Sequence, residues 1–146
     1  VGRRMASTIL NKTYGKGTPT TPFMKSFKIE GDKVFITFEY TGSGLVAKGG
    51  KLKTFAIAGV DQKFVWAEAE IVNRDGADAV LVSSTEVKEP VSVRYAWATN
   101  PVECNLFSKE GFPASPFRTD DWTPVKPEKS PEKKTSAKKK KKKRKK

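Results

Sequence analysis

The chain has 146 residues, enough for one ordinary domain, with 29 Lys+Arg, 16 Asp+Glu, one Cys and no His. Residues 126–146 hold 13 of the basic and 2 of the acidic groups, so this short tail carries +11 of the formal +13 and the body is near neutral at +2. No Ser-His-Asp or Cys-His relay and no imidazole zinc site can be completed from these residues. A single Cys104 allows no internal disulfide, and no apolar run approaches the roughly 20 residues that span a bilayer.

Residues 3–14, Arg-Arg-Met-Ala-Ser-Thr-Ile-Leu-Asn-Lys-Thr-Tyr, read as a short helix with Met5 and Ile9 on one face and Ala6 and Leu10 beside them. Gly15 and Gly17 end it, and Pro19 and Pro22 keep it from restarting. So short a helix is marginal alone in water. Its apolar stripe is therefore expected to dock, in the plainest case on the domain that follows. The first residue is Val, in what reads as mid-helix. The expectation is that an upstream part has been lost, which makes the lack of a signal-peptide apolar region uninformative.

From Phe23 to Ala98 the period changes to two. Residues 25–30 read as a strand and Gly31-Asp32 as a turn. Residues 33–40 are the clearest strand, with Val34, Ile36, Phe38 and Tyr40 on one face and Phe35, Thr37 and Glu39 on the other. Residues 45–48, 52–58 and 64–72 are three further extended candidates. Asn73-Arg74-Asp75-Gly76 is a hairpin signal leading into a strand over 79–83, and Pro90 precedes a last one over 91–98. Short strands joined by Gly, Asp, Asn and Pro turns, with no crossover helix between them, predict a mainly β fold: an antiparallel β-sandwich.

Residues 99–122 are expected to be irregular, a long structureless stretch for a compact domain. Phe107, Phe112, Phe117 and Trp122 nevertheless mark it as a segment wrapped over a surface by aromatic anchors. After Trp122 no aromatic remains, and residues 123–146 are expected to be a disordered, Lys-rich tail.

The run from Lys138 to Lys146 will attract polyanions by counterion release. Read sharply, it attaches the protein to nucleic acid or an anionic surface. Read plainly, it is a solubilising terminus with non-specific attraction, since it carries no interleaved aromatics. Val93, Tyr95 and Trp97 alternate on one face of the last strand, with Arg94 on the other. They fit either a sugar-stacking platform or the sandwich core. Phe64 and Trp66 share parity and read as one inward pair.

Ser43, Ser83 and Ser84 have no nucleophile-elbow context. Asp120-Asp121, with Glu103 and Glu110 upstream, fit turn and cap roles better than an acid–base pair. Gly42, Gly44, Gly49 and Gly50 read as turn glycines without the spacing of a phosphate loop. Asn11-Lys12-Thr13 matches a glycosylation sequon inside the helix read over 3–14. No catalytic, cofactor-binding or metal-ligating set emerges.

Several strings resemble the C-terminal part of sialate O-acetylesterase-type proteins, found in bacteria and among lysosomal and secreted animal enzymes. The longest runs from Val93-Arg-Tyr-Ala-Trp-Ala-Thr-Asn-Pro through Cys104-Asn-Leu-Phe and Glu110-Gly-Phe-Pro-Ala-Ser-Pro-Phe-Arg-Thr-Asp-Asp-Trp122. Gly42-Ser-Gly-Leu-Val, Phe55-Ala-Ile-Ala-Gly and Phe64-Val-Trp-Ala-Glu-Ala add to it, and Val1-Gly-Arg-Arg-Met-Ala is similar to the last helix of that family's hydrolase domain. The resemblance covers residues 1–122 in order and leaves the tail outside.

The resemblance implies an ester hydrolase of the SGNH type that removes O-acetyl groups from sialic acid or other acetylated sugars, commonly in an exported or lysosomal setting. That family's serine nucleophile and its Asp-x-x-His motif have no counterpart here, so no catalytic residue carries over. The expected organisation is then residues 1–15 as the last helix of a truncated hydrolase domain that pairs with this chain in cis, 16–122 as an accessory β-sandwich, and 123–146 as the tail. Arg94, Tyr95, Trp97 and Asn100 are the candidate sugar or substrate-cleft contacts, and no cofactor is implied. The alternative is a stand-alone, non-catalytic binding module for a glycan, or for a polyanion through the tail.

Overall fold

The computed structural model describes residues 2–15 and 21–123, with the side chains at 4, 8, 11 and 12 left aside. The expected disordered tail lies outside the described residues, apart from Thr123. A helix, α1 (Gly2–Tyr14), precedes ten strands: β1 (Phe23–Glu30), β2 (Lys33–Glu39), β3 (Leu45–Ala47), β4 (Phe55–Ala58), β5 (Phe64–Trp66), β6 (Glu68–Arg74), β7 (Ala77–Ser83), β8 (Ser92–Tyr95), β9 (Leu106–Ser108) and β10 (Phe117–Arg118). They form one sheet in the order β1-β2-β7-β6, a second in the order β10-β8-β4-β5, and a small β3-β9 pair. Every pairing is antiparallel, and the architecture is the mainly β sandwich that the period-two pattern predicts.

The register decides which residues are inside. In the first sheet Val34 faces Val82 and Ile36 faces Val80 across β2 and β7, and all four are buried. In the second, Phe55 faces Tyr95 and Ile57 faces Val93 across β4 and β8, again all buried. These two inner faces close on one core, and Phe38 of the first sheet meets Phe117 of the second edge-on at 5.8 Å. Tyr95 packs on Phe55 at 4.6 Å and on Phe117 at 5.7 Å. The Leu106 amide donates to its buried hydroxyl at 3.1 Å, which satisfies the polar atom that Tyr95 brings into the core. Burial pushes the Tyr95 phenol up to about 12.

Four local readings are corrected here. Residues 64–72 are two strands, not one: β5 pairs with β4 in the second sheet, while β6 pairs with β7 in the first, and the chain changes sheet at Ala67. The stretch over 99–122 is not structureless, since β9 pairs with β3 and β10 adds an edge to the second sheet. Phe117, expected as a surface anchor, is a core residue. The strand over 33–40 ends one residue early because Tyr40 takes φ +59°, a left-handed conformation that turns the chain out of the sheet. The hairpin at 73–76 forms as read: Arg74 faces Ala77, with Asp75 at φ +53° and Gly76 at φ +80° as the two-residue turn.

Apolar surface stays uncovered on both α1 and β1. Met5, Ile9, Leu10 and Tyr14 of α1 are exposed, so the helix does not bury its stripe on the sandwich. On the edge strand β1, Phe27 and Ile29 lie opposite Ile36 and Val34 and so share the inner face, yet both remain exposed.

The position of Phe117 yields a stability test. Phe117→Ala should cost about 3–5 kcal/mol in denaturant unfolding, the range for a core phenylalanine. A loss below about 1 kcal/mol would return residues 117–118 to the status of a surface strap.

Candidate functional site

The outer face of the second sheet carries the site. In β4 Phe55 and Ile57 face the core, while Ala56 and Ala58 take the opposite parity, Ala56 half-buried and Ala58 covered. Cross-strand register then lays out one outer row, Arg118, Arg94, Ala56 and Trp66, from β10 through β8 and β4 to β5. A second row runs Ser92, Ala58 and Phe64. Small side chains in the middle and large ones at the sides make a depression. It becomes a cleft of about 360 Å³ with Ala56 as floor, Phe64, Trp66, Arg94 and Trp97 as walls, and Asn100 and Glu103 at the rim. That volume lies at the lower end of ordinary ligand pockets.

Trp97 reaches this face through a backbone reversal. β8 ends at Tyr95, and Ala96 takes φ +50° while its amide donates to the carbonyl of Thr54, itself at φ +63°. The parity of the strand is lost there. Trp97, expected on the face of Val93 and Tyr95, comes to the side of Arg94 and is 50% exposed. Trp66 is 75% exposed and points outward with Phe64, the opposite of the inward pair expected from their shared parity. The inward residue of β5 is Val65, which packs on the core.

Of the four candidate contacts, the fold therefore gathers Arg94, Trp97 and Asn100 into one cleft. Tyr95 is not among them: at 1% exposure it belongs to the core. Sequence reasoning missed Ala56, Trp66 and Glu103 as lining. The large-small alternation of 55–58 carries a signal for the floor. Nothing in Tyr-Ala-Trp announces the turn at Ala96.

One ion pair organises this face. Arg94 donates to Asp120 through Nε (2.8 Å to Oδ2) and Nη2 (2.6 Å to Oδ1). The same carboxylate accepts from Ser92 Oγ at 2.9 Å and from the Trp122 amide at 3.3 Å. Its side chain is 1% exposed, and four donors meet its lone pairs. The Arg94 guanidinium holds Asp120 below the ordinary carboxylate range, and Asp120 raises Arg94 in turn.

The pair also fixes the chain after β10. Thr119 exchanges bonds with Val93, its amide to the Val93 carbonyl at 3.0 Å and the Val93 amide to its Oγ1 at 2.9 Å. Arg118 Nη1 donates to the Trp122 carbonyl at 3.2 Å. The guanidinium of Arg94 lies over Phe64 at 3.9 Å, that of Arg118 over Trp97 at 5.3 Å, and Trp122 packs on Phe64 at 5.7 Å. Asp120 is thus a structural anion and not half of an acid–base pair with its exposed neighbour Asp121.

At the rim, Lys53 pairs with Glu103 at 3.1 Å. The nearly buried Asn105 sets the loop that carries Lys53, donating to the carbonyls of Lys48 and Lys51 and accepting from the Lys53 amide at 2.9 Å. Elsewhere, Glu110 accepts from the Ser43 amide at 2.8 Å and from Ser43 Oγ, which lowers its carboxyl to about 2. This clasps the Gly42–Gly44 turn and leaves Ser43 a structural donor.

No family model matches the chain, and no curated protein matches it. Among solved structures, it is similar to the crystal structure of a carbohydrate acetylesterase from Xanthomonas citri. The two share 39% sequence identity with a TM-score of 0.75, over 83% of this chain and 28% of the other. The chain has a carbohydrate esterase as a relative and spans 28% of that protein's length.

The ion pair makes a pH prediction. A folded-state carboxyl below its unfolded value stabilises at neutral pH, and that stability is lost as pH falls through the folded value. Asp120→Asn should cost about 2–4 kcal/mol at about pH 7, because it leaves Arg94 without its counter-charge. The gap between wild type and variant should shrink below about pH 4, as unfolded carboxyls and then Asp120 itself take up protons. Denaturant midpoints across that range check this, and a gap that does not change with pH contradicts it.

Proposed function

We propose that this chain is the C-terminal portion of a carbohydrate O-acetylesterase of the sialate O-acetylesterase kind, which removes O-acetyl groups from sialic acid or other acetylated sugars. Its sandwich is the accessory domain beside an SGNH-type catalytic domain. The observation that carries this reading is the 39% identity to a carbohydrate acetylesterase over 83% of this chain but only 28% of the relative. Since the sequence contains no His, the base for ester hydrolysis comes from the catalytic domain, and this chain by itself releases no acetate. Catalysis on an ester needs a nucleophile, a base and oxyanion donors in one place.

The exposed surfaces support the same reading. Met5, Ile9, Leu10 and Tyr14 of α1 form the last helix of the hydrolase domain and pack on it in the whole protein. Their burial would remove apolar surface that otherwise promotes association. The cleft of Trp66, Arg94, Trp97 and Asn100 is the part of the sandwich that meets sugar. Two exposed indoles over an alanine floor offer flat apolar faces to a pyranose ring, and the polar rim offers partners to its hydroxyls.

Reading the coding sequence upstream of the Val1 codon tests the assignment. An in-frame Asp-x-x-His within about a dozen codons is expected, with the protein expressed from the extended frame releasing acetate from acetylated sugars and the present chain releasing none. A stop codon or an unrelated frame there would favour a stand-alone glycan-binding module. Saturable acetate release by the present chain would contradict the division of labour.

A further inference from the structure

We infer that the aromatic cleft takes a sugar acid: the free Nη1–Nη2 edge of the Arg94 guanidinium receives the carboxylate, and the exposed indoles of Trp66 and Trp97 take the ring. This rests on the reading that the cleft meets sugar. It adds the chemical class of that sugar and the residue that selects it.

A guanidinium has two edges that can each present a pair of parallel N–H donors to a carboxylate. Asp120 fills the edge of Arg94 made by Nε and Nη2, at 2.8 and 2.6 Å. The other edge, Nη1 with the second hydrogen of Nη2, has no partner among the described residues. The side chain is part of the cleft wall and 20% exposed. The filled edge fixes the free one. Asp120 is nearly sealed from solvent and is also held by Ser92 and the Trp122 amide, and one face of the guanidinium lies on Phe64. Held on an edge and on a face, Arg94 is ordered before any ligand arrives. An anion meeting its free edge therefore loses little to the ordering of a long side chain.

The other polar lining agrees. The side chains of Trp66, Trp97 and Asn100 make no hydrogen bond to the described residues, and an indole can only donate. The rim anion Glu103 is already paired with Lys53 at 3.1 Å. Unused donors suit a ligand rich in acceptors. A planar carboxylate matches the parallel pair of Arg94 in both geometry and charge, which a sugar hydroxyl does not. Arg94 is then the specificity-determining residue of the cleft, and Asp120 is the group that positions it.

The test uses the full chain with 15N-labelled tryptophan and arginine, in about 0.3 M salt so that attraction of acids to the Lys-rich tail is screened. The probes are O-acetylated methyl glycosides of N-acetylneuraminic acid and of glucuronic acid. Each is titrated beside its own carboxamide, which keeps the ring and removes the charge. An O-acetylated cello-oligosaccharide is the neutral sugar. At least one acid should bind about tenfold or more tightly than its carboxamide, the scale of one charge-assisted hydrogen bond. That acid should shift the indole N–H signals of Trp66 and Trp97 more than that of Trp122. It should also move the Nη signals of Arg94, which the carboxamide leaves in place.

Arg94→Lys keeps a cation for Asp120 and gives up the planar fork, so the preference for the acid should fall at least about fivefold. Should that variant misfold, the Arg94 signals of the unaltered chain decide. Carboxamides that bind at Trp66 and Trp97 as tightly as their acids overturn the inference and leave the cleft a sugar site. The same holds if only the cello-oligosaccharide shifts the two indoles. Acid binding that leaves the Arg94 signals unmoved, or an undiminished preference in a folded Arg94→Lys variant, also overturns it. If no probe shifts Trp66 or Trp97, the reading of the cleft as a sugar site fails, and the inference with it.

Discussion

The bidentate pair of Arg94 and Asp120 is the interaction on which the outer face of the second sheet depends. β10 is two residues long and holds the sheet edge through one short run of register. The chain beyond it stays in place because Asp120 reaches back to Arg94 and Ser92 while Thr119 exchanges bonds with Val93. The same pair lays Arg94 on Phe64 and brings Trp122 onto the other aromatic contact of that ring. A carboxylate at 1% exposure carries a large desolvation cost unless its lone pairs are met. Four donors meet them here, so its position is well defined.

The cleft follows from that brace and from two backbone turns. Thr54 and Ala96 both take positive φ and are joined by a hydrogen bond of 3.0 Å. Left-handed backbone at residues other than glycine is costly and persists where surrounding structure enforces it. At Ala96 the effect is to end the strand and send Trp97 outward, while the buried Tyr95 before it keeps the core closed. One tripeptide thus serves both sides of the sheet, with Tyr95 bonded through its hydroxyl to Leu106 and Trp97 walling the cleft. Exposed indoles on a neutral, alanine-floored depression are an uncommon use of large apolar area, which a folded chain otherwise buries.

How much of this was legible in the sequence depended on whether local chemistry or distant packing decided each position. The strand over 33–39 and the hairpin at 73–76 were legible, because alternation and an Asp-Gly turn act locally. The chain's switch of sheets at Ala67 was not, since Glu68 to Val72 continue the alternation of Phe64 to Trp66 and only the partners differ. The direction of Phe64 and Trp66 was misread for a related reason: parity shows that two residues share a face, and the register with Ala56 and Ala58 shows which face it is. Phe117 looked like an anchor in a loop because its strand is too short to show a period. Of the candidate site, Arg94, Trp97 and Asn100 were singled out, and the resemblance was strongest around them. Their gathering with Trp66 and Glu103 depends on strands and loops far apart in the chain.

A double-mutant cycle on Arg94 and Asp120 tests most directly whether this pair organises the face. Arg94→Met, Asp120→Asn and the double variant would be compared by denaturant unfolding, with hydrogen exchange of the Thr119 and Trp122 amides followed in each. A coupling energy of about 1.5 kcal/mol or more, with faster exchange at both amides in every variant, is the expected result. Additive losses, within about 0.5 kcal/mol, and unchanged exchange would contradict it and place the order of residues 117–122 in the packing of Phe117 and Trp122 alone.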